Sequence, residues 1–88
     1  MRFRFDPLKA VANFKKHKVS FADAEGVFRD SLAVTIEDPD TDRERRYIAL
    51  GIGNAGELLV VVYTELGDEY RLISARRATR KERTDYEG

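Results

Sequence analysis

The stretch Arg45-Arg46-Tyr47-Ile48-Ala49-Leu50-Gly51-Ile52-Gly53-Asn54-Ala55-Gly56-Glu57-Leu58-Leu59-Val60-Val61-Val62-Tyr63 decides the fold class. Its first part alternates, with Arg46, Ile48 and Leu50 on one parity and Tyr47 and Ala49 on the other, as a half-buried strand does. Gly53-Asn54-Ala55-Gly56 supplies a turn. Leu58 to Tyr63 is then almost continuously apolar and free of Gly and Pro, the pattern of a central strand covered on both faces. A hairpin therefore forms the middle of an antiparallel sheet. Gly51-Ile52-Gly53-Asn54-Ala55-Gly56 also matches the spacing GxGxxG, but it lies in a hairpin turn and opens no helix, so a dinucleotide loop is excluded.

Outward from this hairpin, Glu65-Leu66-Gly67-Asp68 forms a second turn. Glu69 to Ser74 returns as a strand with Tyr70, Leu72 and Ser74 on one face and Arg71 and Ile73 on the other. Thr79 with Glu82 three residues later is a capping box, so a short charged helix runs towards Tyr86. On the N-terminal side, Leu32 to Ile36 is a short β-branched strand followed by the acidic turn Glu37-Asp38-Pro39-Asp40-Thr41-Asp42. Ser20 caps a helix that buries Phe21, Ala24, Val27 and Phe28, with Asp23 in a capping-box-like position and Val19 as its staple. Arg2-Phe3-Arg4-Phe5 alternates as a strand. Asp6-Pro7 then sets the N-cap and first position of a helix ending near His17, with Leu8, Val11, Ala12 and Phe14 expected against the sheet. The order strand, helix, helix, four antiparallel strands, helix specifies a two-layer α+β fold, a single domain over residues 1–88 without internal repeats.

A chain of 88 residues supports one core, and 42% apolar with 36% charged residues indicates a folded chain with a highly charged surface. The absence of cysteine excludes disulfides and thiolate metal sites. No apolar run is long enough for a signal sequence or a membrane span, so a cytoplasmic location is expected. The net charge of zero conceals three blocks. Residues 1–18 hold six Lys or Arg against one acid (+5), residues 19–44 two against eight (−6), and residues 45–88 eight against seven (+1). One basic and one acidic surface follow, and the basic one can attract a polyanion locally.

Two clusters carry chemistry. The single histidine stands in Lys15-Lys16-His17-Lys18, and imidazole is the side chain whose ordinary titration suits acid or base work near neutral pH. Arg46, Arg71, Arg76 and Arg77 are planar donors matched to phosphate oxygens, and Arg71 lies within a strand among large apolar neighbours. If RNA is the substrate, the simplest metal-free route is attack by a 2′-hydroxyl on its own phosphodiester. His17 serves that route as base or acid, while Arg46, Arg71 and Arg76 stabilise the growing charge. Lys15, Lys16, Arg71 and Arg77 are the expected RNA-binding residues. No HExxH, phosphate-binding Gly-rich loop or paired metal ligands compete, and no basic recognition helix suggests direct DNA reading.

Several stretches resemble the BrnT family of toxins: Phe5-Asp6-Pro7 with Lys9 and Ala10, Asn13, Lys16-His17, Val19-Ser20-Phe21, Ala24, Val27-Phe28 and Asp30. Further along, Glu44 with Arg46, Gly51, Leu59 to Thr64, and Arg71-Leu72-Ile73-Ser74-Ala75-Arg76 with Glu82 and Tyr86 continue the likeness. Lys16-His17-Lys18-Val19-Ser20-Phe21 and the run from Arg71 to Arg76 are its specific parts. The resemblance implies a RelE-like fold and an endoribonuclease toxin of a type II toxin-antitoxin system that inhibits translation and growth. It also implies a BrnA-like ribbon-helix-helix antitoxin through which alone the pair meets DNA; from the residues themselves, no cofactor or metal is expected. By matching position it carries over His17, Arg46 and Arg76 as catalytic residues, with Lys16, Glu44 and Arg71 beside them. Two positions depart from the family pattern: Glu65-Leu66 stands where an arginine is usual, and Lys18 where a glycine follows the histidine. The lost arginine motivates an alternative, a weak or inactive homologue that binds the antitoxin and tunes transcription.

Overall fold

Leu58–Leu66 (β4) is the spine of the molecule. In the computed structural model, which describes residues 2–39 and 44–88, β4 pairs antiparallel with Arg46–Ile52 (β3) and with Glu69–Arg77 (β5). Val34–Glu37 (β2) adds antiparallel to β3, and Arg2–Arg4 (β1) adds parallel to β5, giving the order β1-β5-β4-β3-β2. Helices Pro7–His17 (α1), Phe21–Ala24 (α2) and Arg80–Glu87 (α3) complete the α+β architecture. Of the expected acidic turn, residues 40–42 lie outside the described residues.

The hairpin alternation holds in full, because Ala49 and Val61 sit opposite each other in the core while Ile48 and Val62 pair on the other face. Both flanking strands run further than expected. β4 continues to Leu66 and β5 to Arg77, so Arg76 and Arg77 lie within a strand. A register shift at Val62/Tyr63 gives β5 one extra residue: Tyr63 opposes Leu72, but Val62 opposes Ser74. Such a bulge reverses the alternation. Leu72 and Ala75 consequently share the core face, and Ser74 moves to the opposite face with Arg71 and Arg76, contrary to the simple period-2 expectation.

The helix expected from Ser20 is broken into α2 and a 3₁₀ turn, Glu25–Arg29. The reason is close approach. A Cβ on Gly26 would stand 2.4 Å from the Asn54 backbone nitrogen, so the β3–β4 turn packs directly on this helical segment. Asn54 fixes the contact by donating its backbone N–H to Asp23 O (2.9 Å) and its Nδ2 to Ala22 O (2.8 Å). Phe21, Ala24 and Val27 are buried as expected, and Phe28 is half-buried, with its ring 4.7 Å from Tyr70, 4.8 Å from Tyr63 and 5.1 Å from Phe3.

α1 begins and ends as the sequence indicates, with Asp6 accepting the Leu8 N–H (2.9 Å) and Lys18 closing the helix in the left-handed conformation at φ 60°. Its buried face is different from the one expected. Leu8, Val11 and Phe14 are 79%, 55% and 51% exposed, whereas Asn13 is buried. α1 lies along the edge of β5 rather than over the sheet, and an edge offers backbone polar groups, which an asparagine can satisfy. Asn13 Oδ1 accepts from Ala75 N (3.0 Å) while Nδ2 donates to Ala75 O (2.8 Å) and Val19 O (3.0 Å). Asn13 thus takes the place of a strand residue where β1 has stopped. β1 itself is short and carries Arg2 and Arg4, but all four residues of β2 are exposed, leaving Val34 and Ile36 on an open edge.

α3 crosses the face opposite the core, over the end of β4 that holds the buried Leu58 and Val60. Thr79 and Glu82 form the expected capping box. The helix buries none of its own residues and is held by two polar contacts: Glu82 pairs with Arg76, and the Tyr86 hydroxyl donates to Asp30 Oδ2 (2.5 Å), which also accepts the Ile52 N–H (2.8 Å). These donors, Tyr86 first, hold the Asp30 carboxyl below its ordinary value.

Candidate functional site

Residues directly opposite in adjacent strands share a face of a sheet. Arg46 pairs with Thr64 and Thr64 with Arg71, while in the parallel pair Arg4 stands beside Arg71. Arg4, Arg71 and Arg46 therefore form a row across β1, β5 and β3 on the face away from the core, at the end that α3 leaves open. With strands about 4.8 Å apart, Arg46 lies roughly 10 Å across the sheet from Arg71. Its Nε is shielded from solvent and has no hydrogen bond among the described residues, the Glu44 Oε1 being 3.9 Å away.

The helix adds its own cations to the same edge. His17, the last residue of α1, lines a cavity of about 300 Å³ with Lys9, Asn13, Lys16 and the bulge residues Ile73 and Ser74. A neighbouring cavity of about 350 Å³ is lined by Arg4, Phe5, Asp6, Lys9, Arg71 and Leu72. Lys9 belongs to both. The two cavities adjoin at Lys9 and form a groove along β5, with His17 at one end and Arg4 and Arg71 of the arginine row at the other.

Charge pairing separates the cations sharply. Among the described residues Lys9, Lys16 and Arg71 have no ion pair, so their charges face the groove unneutralised. Arg4 shares Glu69 at 3.0 Å. Arg77 is paired with Glu57 and also reaches the His17 carbonyl at 3.5 Å, which ties the end of α1 to β5. Arg76 donates from Nη1 to Glu82 Oε1 (2.9 Å) and from Nη2 to Glu82 Oε2 (2.8 Å), a bidentate pair that pulls the Glu82 carboxyl down to about 2. A guanidinium has five N–H donors; this pair takes two and the Arg77 carbonyl accepts a third from Nη1 (3.2 Å), which leaves Nε and one Nη2 hydrogen for another acceptor.

Of the residues expected from sequence, the fold gathers Lys16, His17 and Arg71 along the groove, sets Arg46 on the same face two strands away, and commits Arg76 and Arg77 to carboxylates. Lys15 is exposed and lines neither cavity. Lys9, Ser74 and Phe5 were not anticipated. The signal for Lys9 was present: Lys9, Asn13, Lys16 and His17 recur at i, i+4, i+7 and i+8, one polar stripe of a helix, beside an apolar stripe that drew the reading the other way. Among the described residues no three His, Asp or Glu side chains converge as a metal site, and no helix is long and apolar enough to cross a membrane.

Residues 5–82 match the family model described as the ribonuclease toxin, BrnT, of type II toxin-antitoxin systems. Among curated protein sequences none matches the chain. Among solved structures, the chain is similar to the crystal structure of the Brucella abortus ribonuclease toxin BrnT, with 26% identity and a TM-score of 0.67, over 91% of this chain and 99% of that one.

Proposed function

Since the chain belongs to the BrnT family of ribonuclease toxins, which act in type II toxin-antitoxin systems and so have an antitoxin partner, we propose that it is an endoribonuclease whose substrate lies along the groove at the β5 edge. The observation that carries this reading is the gathering of three cations without an ion pair among the described residues, Lys9, Lys16 and Arg71, with the only histidine of the chain. Phosphates of a single strand would lie on the cations, as in other electrostatic channels for single-stranded nucleic acid.

In the reaction proposed, the 2′-hydroxyl loses its proton to a base as its oxygen attacks the adjacent phosphorus. The bond to the 5′-oxygen breaks, that oxygen leaves with a proton from an acid, and a 2′,3′-cyclic phosphate remains. His17 exchanges one of these protons. Arg46 and Arg71 stabilise charge on the phosphoryl oxygens, and Arg76 contributes through the N–H groups that Glu82 leaves free, Glu82 acting as its positioning residue. The partner proposed is a BrnA-like ribbon-helix-helix antitoxin, with DNA reached only through it, and the outcome of cleavage is arrest of translation and growth.

The test is cleavage of a labelled single-stranded RNA in EDTA by the purified chain and by His17→Ala. The reading expects activity in the first and a loss of about 100-fold or more in the second, the usual worth of a proton-transferring group. Undiminished cleavage by His17→Ala removes that residue from the chemistry. A second reading, a weak or inactive homologue that holds the antitoxin, is favoured by the commitment of Arg76 to Glu82 and by Glu65-Leu66 in place of an arginine. It expects no cleavage by either protein and no growth arrest on expression.

A further inference from the structure

Phe5 is half exposed, and it is the aromatic residue among those lining the Arg71 end of the groove. It sits between the end of β1 and the Asp6 cap of α1, so its backbone is fixed on both sides. Its ring stands edge-on to the buried Phe21, with centroids 5.5 Å apart and planes at 79°. That contact orients the ring, and Phe5 stays 43% exposed beside the cavity.

The polar surroundings select an anionic, flat ligand. Lys9 and Arg71 are free of ion pairs among the described residues, Arg4 lies beside them, and the single carboxylate of the cavity, Asp6, accepts the Leu8 N–H. A preoriented ring among cations is how proteins hold single-stranded bases, with the base on the aromatic face and the backbone on the charges. Because Lys9 also lines the His17 cavity, a phosphate on Lys9 joins the two cavities.

We propose that the cavity of Phe5, Lys9 and Arg71 is a subsite for the nucleotide next to the one cleaved, with Phe5 as the stacking platform for its base. The subsite rests on the ribonuclease reading. Stacking of this kind accepts any base, so the subsite confers a minimum substrate length rather than a sequence preference.

The experiment measures binding of fluorescent, fully 2′-O-methylated oligonucleotides of increasing length, extended at either end, by the intact chain, Phe5→Leu, Phe5→Tyr and Arg71→Gln. Leucine keeps the apolar contact with Phe21 but has no π face, and tyrosine keeps both. The wild-type chain should gain affinity when the oligonucleotide is extended by one nucleotide at one end. Phe5→Leu should lose about tenfold of that gain, Phe5→Tyr should retain it, and Arg71→Gln should lower the salt slope by about 0.7, one phosphate contact on a single strand. Equal length dependence in wild type and Phe5→Leu, with RNA cleavage intact, overturns the subsite and leaves the ribonuclease reading standing. Failure of the wild-type chain both to bind these oligonucleotides and to cleave RNA overturns both. If Phe5→Leu weakens only the complex with the antitoxin, the cavity is a protein site and the proposal falls.

Discussion

Arg76 and Glu82 are joined by two parallel hydrogen bonds, 2.9 and 2.8 Å long, that hold α3 against β5. The Glu82 carboxyl is held at about 2 against an ordinary 4.5, chiefly by those bonds. A carboxylate depressed on folding stabilises above its unfolded value and loses that contribution as pH falls through the folded one. Stability should therefore decline from about pH 4.5 towards pH 2. The pair is partly solvated, so Glu82→Gln should cost about 1 to 2 kcal/mol at pH 7, with most of the difference gone at pH 2. Thermal unfolding of both proteins across that range measures it, and a pH-independent difference contradicts the role of the pair. Some acid sensitivity should survive in Glu82→Gln, because Asp30 is depressed in the same direction by Tyr86.

Asn13→Ala should be among the most damaging substitutions in α1, although alanine is the better helix former. It leaves the Ala75 N–H and C=O and the Val19 carbonyl without their buried partner, a loss of about 3 kcal/mol. Chemical denaturation checks the value. A cost under about 0.5 kcal/mol would show that α1 is held by other contacts.

Lys18 adopts φ 60°, a conformation natural to glycine. Lys18→Gly should stabilise the chain by about 0.5 to 1 kcal/mol, the relief of backbone strain slightly exceeding the added freedom of the unfolded chain. A lower unfolding midpoint in the glycine variant would contradict this.

Gly26→Ala places a methyl group against the Asn54 backbone, at 2.4 Å from its nitrogen, and backbone cannot step aside as a side chain can. The expected cost is about 1 to 3 kcal/mol. Amide exchange should show the damage concentrated in the β3–β4 turn and the 3₁₀ segment; protection unchanged there contradicts the close approach.

Arg71→Ala and Arg77→Ala remove the same charge from the same strand but should differ towards RNA. Among the described residues Arg71 has no ion pair in the groove, and Arg77 is neutralised by Glu57. RNA affinity at low salt should fall several-fold for Arg71→Ala and little for Arg77→Ala. Equal losses would show that long-range charge, rather than the groove, governs binding.

How far the sequence was legible follows from which physical signals are local. Alternation in β3, the continuous apolar run of β4, the Asp6-Pro7 start of α1 and the Thr79–Glu82 box are local, and each is where the pattern places it. The parallel pairing of β1 with β5 joins the two ends of the chain and has no local signature. The bulge at Ile73 is equally silent, yet it decides that Ser74 and Arg76 share a face with Arg71. The face of α1 was misjudged for a related reason. An apolar stripe implies burial against apolar surface, but α1 meets a strand edge, where the amide of Asn13 fits and Leu8 and Phe14 do not. His17, Lys16 and Arg71 were expected from residue type and family resemblance, and the fold brings them along one groove. What sequence did not show was which cations carboxylates had already claimed, since Glu57 and Glu82 reach Arg77 and Arg76 through the fold.

The amide of Asn13 has one more implication, for growth of the sheet. Asn13 and the three-residue β1 occupy the outer edge of β5, while β2 presents its own exposed edge at the far side of the sheet, four strands away from β1. A protein that captured this toxin by adding a strand to β2 would bind at a distance from the groove. To silence it, such a captor would need a second segment that wraps round to His17.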